Sequence, residues 1–290
     1  MHPHVHSFHD PATFTFTHVV YDRQGGQAAI IDPVLDFDAA SARVSTGSAQ
    51  AVLDFVRSKQ LQVVWILETH AHADHLSAAA WLKQQTGAPV AIGAGITAVQ
   101  ARFKTLFGLG DDFVADGSQF DHLFQDGETF RIGGLEGRAL ATPGHTDDSL
   151  TYVIGDAAFV GDTVFAPETG TARVDFPGGD AHKLYRSIQA LFDLPADTRL
   201  FLCHDYPPAE RAPQALTRIA EQQACNIHVG AGRDEAGFVA LRQARDATLA
   251  APKLILPALQ VNIRAGQLPP PDANGITYLR LPLNQLGGGV

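Results

Sequence analysis

Cysteine is scarce in this 290-residue chain: only Cys203 and Cys225 occur, in no CxxC pairing. That excludes a disulfide framework and argues against a cysteine-built zinc site. Positive charge is also short. Lys and Arg number 21 against 31 Asp and Glu, a formal charge of −10, so the global field attracts neither a nucleic-acid backbone nor an anionic membrane surface. No apolar run approaches the roughly 18 residues that span a bilayer. The first residues lack the charged start and apolar stretch of a signal peptide, and the expected location is cytoplasmic. With 45% apolar and 18% charged residues, the composition is that of a soluble globular protein. What the chain has in abundance is histidine, 13 in all.

The length suits one large α/β domain or two small ones, and no repeat or low-complexity linker divides it. Thr13 to Tyr21 alternates around Phe14, Phe16 and His18, and Gln27 to Ile31 is an apolar run ending at Asp32-Pro33, so both read as strands joined by a Gly25-Gly26 turn. Helical spacing over Ser48 to Lys59 precedes the apolar strand Val63 to Leu67. A helix is expected over Leu76 to Gln85, stopped by Gly87. Strand patterns follow at Phe130–Ile132, Leu135–Ala141, Leu150–Ile154, Ala157–Gly161 and Leu200–Cys203. Helices are expected at Ala181–Phe192, Pro213–Ala224 and Asp234–Ala250. This order suggests two sheets covered by helices rather than regular βαβ alternation. Pro269-Pro270-Pro271 and Gly287-Gly288-Gly289 mark an irregular tail, and the histidines at 2, 4, 6 and 9 read as a frayed terminus.

The central signal is Thr69-His70-Ala71-His72-Ala73-Asp74-His75, directly after a buried strand. Three imidazoles and a carboxylate within six residues suit a transition metal. In an extended loop His70 and His72 point to one side, while Asp74 and His75 are expected to open the following helix. Three further strand ends supply the same chemistry: Thr142-Pro143-Gly144-His145, Val160-Gly161-Asp162 and Leu202-Cys203-His204-Asp205-Tyr206. Singly each is an ordinary turn or surface residue. Their conjunction is what counts.

On these residues the chain resembles the metallo-β-lactamase superfamily, whose HxHxDH motif, later His, bridging Asp and final His match His70, His72, Asp74, His75, His145, Asp162 and His204. The resemblance implies an α/β fold, an αββα sandwich with the site at one edge. It also implies a single domain over 1–290, of which about 207–290 is a helical and irregular extension. Within the superfamily the chain looks most like the persulfide dioxygenases, through Arg173-Val174-Asp175-Phe176, His204-Asp205-Tyr206, Ala244 to Leu249 and Leu256 to Gly266. That narrower resemblance implies one Fe(II) per chain on His70, His145 and Asp162, a two-histidine, one-carboxylate triad with open positions, with zinc as an occupant acquired on expression. His72, Asp74, His75 and His204 would then orient ligands and water. The implied reaction oxidises glutathione persulfide with O2 to sulfite and glutathione. Tyr206, His204 and Asp74 would serve catalysis, and Arg173 and Tyr206 would bind substrate, Arg173 pairing with a glutathione carboxylate, while Asp175 fixes either Arg173 or a turn. A sulfurtransferase supplying substrate and a homo-oligomeric assembly are expected as well.

The same seven side chains fit a glyoxalase II-like hydrolase. There His70, His72, His145 and Asp162 would hold one metal and Asp74, His75, His204 and Asp162 the second, activating water against a thioester. A third reading is a metal-binding relative that kept the fold and lost activity. Cys203 and Cys225 read as buried small apolar residues, with oxidation of Cys203 beside His204 worth attention.

Overall fold

The computed structural model describes residues 2–207 and 210–285, so the glycine run at 287–289 lies outside the described residues. The first half of the chain forms β1 (His4–Asp10), β2 (Thr15–Tyr21), β3 (Gln27–Ile31), β4 (Val34–Asp38), β5 (Arg43–Ser45), α1 (Gly47–Ser58), β6 (Gln62–Leu67), β7 (Leu76–Ser77), α2 (Ala79–Thr86), β8 (Val90–Gly93), α3 (Ile96–Phe107) and β9 (His122–Phe124). The second half forms β10 (Thr129–Ile132), β11 (Leu135–Ala141), β12 (Leu150–Ile154), β13 (Ala157–Phe159), α4 (Ala181–Phe192), β14 (Arg199–Phe201), β15 (Leu216–Arg218), α5 (Ile219–Cys225), α6 (Glu235–Asp246) and α7 (Ile255–Asn262).

Two six-stranded sheets, β1-β2-β3-β6-β8-β9 and β10-β11-β12-β13-β14-β15, make the two inner layers. Neighbouring residues of one strand face different cores. Val19 and Ile30 pack with Val52, Leu82 and Phe103 of the outer helices, whereas Val20 and Ile31 pack with Tyr152 and Phe159 of the other sheet. A strand buried on both faces must be apolar throughout, which is why β3 and β6 read as continuous runs. On the far side Leu184, Ile188 and Phe238 cover Ala158, Val160 and Leu200. The result is the helix–sheet–sheet–helix sandwich expected from the sequence. The strands β6, β11, β13 and β14 all end at one edge, and the loops that follow them carry His70, His145, Asp162 and His204.

The structure corrects four local expectations. Leu76–Ser77 pairs with Val34–Leu35 as a strand, so α2 begins only at Ala79 and Asp74 and His75 sit in a loop rather than at a helix start. Leu216–Arg218 completes the open edge of β14, leaving α5 to begin at Ile219, since backbone groups at a sheet edge favour pairing over an isolated turn of helix. The third helix of that region is shorter than its pattern, Glu235–Asp246, with Asp234 accepting from the Gly237 amide as its cap. The histidine-rich beginning is not frayed: His4 to Asp10 pairs in full register with Tyr21 to Thr15.

Candidate metal centre

His70 sits at the floor of the site, 1% exposed. Its Nδ1 donates to Thr69 Oγ1 at 3.1 Å, and that hydroxyl donates onward to Asp32 Oδ2 at 2.9 Å. The relay fixes the tautomer and leaves the Nε2 lone pair free. His145 is set in the same way: its Nδ1 donates to the Arg173 carbonyl at 2.7 Å, which turns Nε2 inward. Asp162 Oδ2 lies 3.5 Å from His145 Nε2 and 4.0 Å from His70 Nε2. The ligand atoms of His70, His145 and Asp162 all stand within 4.8 Å of one another, the spacing of a single ion's coordination shell.

The remaining four side chains form the other half of the cluster. Asp74 Oδ2 lies 3.1 Å from His75 Nδ1 and 3.4 Å from His204 Nε2, and Asp162 Oδ1 is 3.4 Å from the same His204 nitrogen. Thr15 Oγ1 donates to Asp74 at 3.0 Å. His72 is anchored from behind, its Nε2 donating to Asp32 Oδ1 at 2.9 Å with Glu68 Oε2 at 3.5 Å. His70 and His72 are neighbours, with ring centroids 4.1 Å apart, but His72 groups with Asp74 and His75, and separately with Cys203 and His204.

Electrostatics follow from this division. Burial holds His70 well below the ordinary imidazole range, helped by His72 and His145. Burial would do the same to His72 and His204, but Asp32 overrides it at His72 and Asp74 at His204, so both are raised. Asp74 is held well below the usual carboxylate range against its burial by His204 and His75. Burial pushes Glu68 up.

Among the described residues, five buried atoms in this cluster have no hydrogen-bond partner: Nε2 of His70, His75 and His204, Nδ1 of His72 and Oδ1 of Asp162. Orphans of this kind cost about 1–3 kcal/mol each. Converging in one place, they fit a cation, and imidazole with carboxylate suits zinc or iron.

A cavity of about 350 Å³ opens onto the centre, a size that suits a small-molecule ligand. Asp74, His145, Asp162 and His204 form its floor, with Phe165, Phe176, Leu249 and Pro252 along the walls. Arg173, Arg242 and Arg245 stand around it. Arg173 is engaged: Nε and Nη2 donate to Asp175 at 2.6 Å each, and Nη1 donates to the Ala250 carbonyl at 2.7 Å. Arg242 is buried against Asp246. Among the described residues no carboxylate lies within 4.0 Å of Arg245. Tyr206 lines the cavity and stacks on His204, with ring centroids 5.7 Å apart.

The structure brings the seven candidate ligands of the sequence reading together at one edge, and of the two roles open to Asp175 it shows the hold on Arg173. Sequence reasoning missed Asp32, read only as a turn residue. Asp32 accepts from the Thr69 amide, the Thr69 hydroxyl and His72, while standing at φ +50, a region unfavourable for a side chain. Asp148 was missed too; it accepts from the Ala71 amide at 2.8 Å. Gly161 stands at φ +51, and a Cβ there would stand 2.7 Å from Thr69 Oγ1.

A layered αββα sandwich with histidines and carboxylates gathered at the strand ends of one edge defines a metal-binding class of protein. The metallo-beta-lactamase superfamily profile matches residues 12–204, and the chain belongs to that superfamily. It is 54% identical over 288 residues to a Beta-lactamase hydrolase-like protein of Xylella fastidiosa, covering 99% of this chain and 66% of that protein, so about a third of the longer protein lies outside the match. It is 47% identical to Glyoxylase B2 of Dictyostelium discoideum over 92% of both chains. The human mitochondrial persulfide dioxygenase ETHE1 is 30% identical over 200 residues, 68% of this chain and 66% of that protein. The crystal structure of ETHE1 from Myxococcus xanthus superposes with a TM-score of 0.73 at 30% identity, over 91% of this chain and all of that one.

Proposed function

We propose that the protein is a persulfide dioxygenase acting on glutathione persulfide and O2 at one Fe(II) held by His70, His145 and Asp162. The observation that carries the reading is the compact group these three form, together with similarity to ETHE1 of Myxococcus xanthus over 91% of this chain. When bound, Fe(II) on such a triad supplies open positions at which a soft sulfur anion and O2 are brought together. The chain's own residues do the rest. The Arg173 carbonyl and the Thr69 hydroxyl keep the ligating nitrogens deprotonated and aimed. Phe165, Phe176 and Leu249 exclude water from the reacting sulfur. His204, whose imidazole Asp74 raises above its ordinary range against its burial, faces the floor of the cavity, and Tyr206 stacks against it to fix its plane. Arg245 offers its guanidinium to a carboxylate of the thiol carrier, a local attraction that a chain of net charge −10 needs for an anionic substrate.

A second reading has its own support. All seven ligands of a dinuclear thioester hydrolase are present, and relatives with hydrolase or glyoxylase names are more similar in sequence than ETHE1. Anaerobic metal analysis combined with two assays separates the readings. Sulfite release and O2 uptake with glutathione persulfide, at about one iron per chain, are the expected result. Two tightly held metals with thioester hydrolysis and no O2 uptake would replace this reading with the hydrolase.

A further inference from the structure

Both halves of the metal centre lean on the C-terminal helices, beyond the 12–204 span of the superfamily profile. Asn262 is the last residue of α7 and is buried. Its Nδ2 donates to the carbonyls of His72 at 2.7 Å and His75 at 2.8 Å, and its Oδ1 accepts from the Ser77 amide at 2.8 Å. Three bonds from one side chain thus fix the loop that carries His72, Asp74 and His75. The Ser77 hydroxyl continues the link to Glu68, which faces His72. The turn after α7 presses on the same loop: at Gly266 (φ +79) a Cβ would stand 2.8 Å from the Ser77 carbonyl, so the approach is open to glycine alone.

The other half is held from α6. Asp246 accepts from the Val174 amide at 2.9 Å, and its partner Arg242 donates to the Thr171 carbonyl at 3.0 Å. Between those two anchors lies Arg173, whose carbonyl sets the tautomer and direction of His145.

We infer that Asn262 and Asp246 are positioning residues of the metal centre, holding the His72–Ser77 loop and the His145-orienting carbonyl in place for metal binding. The inference rests on the chain binding a metal, but not on which reaction follows. Gln260 is the control: it lies on the same helix as Asn262 and bonds the Leu256 and Arg280 carbonyls rather than the loop.

The test uses the full chain, stripped of metal and titrated with Co(II) against a competing chelator, with the cobalt d–d bands recorded and thermal unfolding of the metal-free protein followed by circular dichroism. Asn262→Ser is expected to weaken Co(II) binding about 10- to 100-fold, the usual loss when an outer partner of a metal site is removed, and to shift the d–d bands. Gln260→Ala should cost stability while binding Co(II) as the parent does. Parental affinity and an unchanged spectrum in folded Asn262→Ser would overturn the inference. If that variant does not fold, Asp246→Asn decides, with weakened binding and shifted bands expected and unchanged values contrary. A parent chain that binds no Co(II) at all would instead count against the metal-centre reading.

Discussion

His70→Ala and His72→Ala are the same chemical change two residues apart, and the proposed mononuclear reading gives them different consequences. His70 presents Nε2 to the group it shares with His145 and Asp162, so under the proposed mononuclear reading alanine removes one of three protein ligands. His72 bonds Asp32 through Nε2 at 2.9 Å, which leaves its Nδ1 open, and it groups with Asp74 and His75 rather than with that triad. Removing one partner of a buried charged pair costs about 3–5 kcal/mol. Here the lower end is expected, because Asp32 keeps both Thr69 donors. Against a total stability of about 5–15 kcal/mol the variant remains folded in the cold. Its metal affinity should fall about 10- to 100-fold, or about 1.4–2.7 kcal/mol. The assay is elemental analysis of folded protein reconstituted anaerobically, with O2 uptake on persulfide. His72→Ala keeps iron and measurable uptake, whereas His70→Ala loses both. Equal loss of metal in the two variants would refute the mononuclear reading, because in a dinuclear site both residues bind the same ion.

Three other outcomes follow from the same geometry. Arg245→Ala should raise KM for a carboxylate-bearing persulfide about tenfold or more with iron content unchanged, the worth of one charged hydrogen bond, and steady-state kinetics beside metal analysis checks it. An unchanged KM would return the role to Arg173, whose loss should otherwise act mainly through Asp175 and the Ala250 carbonyl. Gly161→Ala should destabilise by about 1–2 kcal/mol from its left-handed backbone alone. It should also weaken metal binding by pushing on Thr69, seen as a lower thermal midpoint together with lost iron. His18, buried, donates Nε2 to the Leu202 carbonyl, and burial lowers its pKa to about 4. The unfolded chain therefore binds the extra proton first, so this contribution is complete above pH 6.5 and is lost as pH falls toward 4, by about 3 kcal/mol. Urea unfolding at pH 7 and pH 4.5 should show a steeper loss in the parent than in His18→Gln.

The seven candidate ligands were legible in the sequence because each obeys a local rule: an apolar strand followed at once by imidazole or carboxylate. The two-sheet layering was legible for a similar reason, since strands buried on both faces must be apolar where they are buried, as β13 is throughout and β3 and β6 are after their first glutamine. Local rules fail where the decisive partner is distant in the chain. Leu76–Ser77 carries helical spacing, yet β4 and Asn262 supply backbone partners that an isolated helix start cannot match. The histidines at 4, 6 and 9 look like a loose end until Tyr21 to Thr15 gives them a complete strand to pair with. Asp32 is 38 residues from His70, and nothing in Ile31-Asp32-Pro33 indicates that its carboxylate orients His72 directly and His70 through Thr69. The kinds of atom that hold a metal were therefore written in the sequence. Which nitrogen of each imidazole is free, which side chains group as three, and what holds the loops still were decided only in the folded chain, because those depend on hydrogen bonds between segments up to 190 residues apart, as between His72 and Asn262.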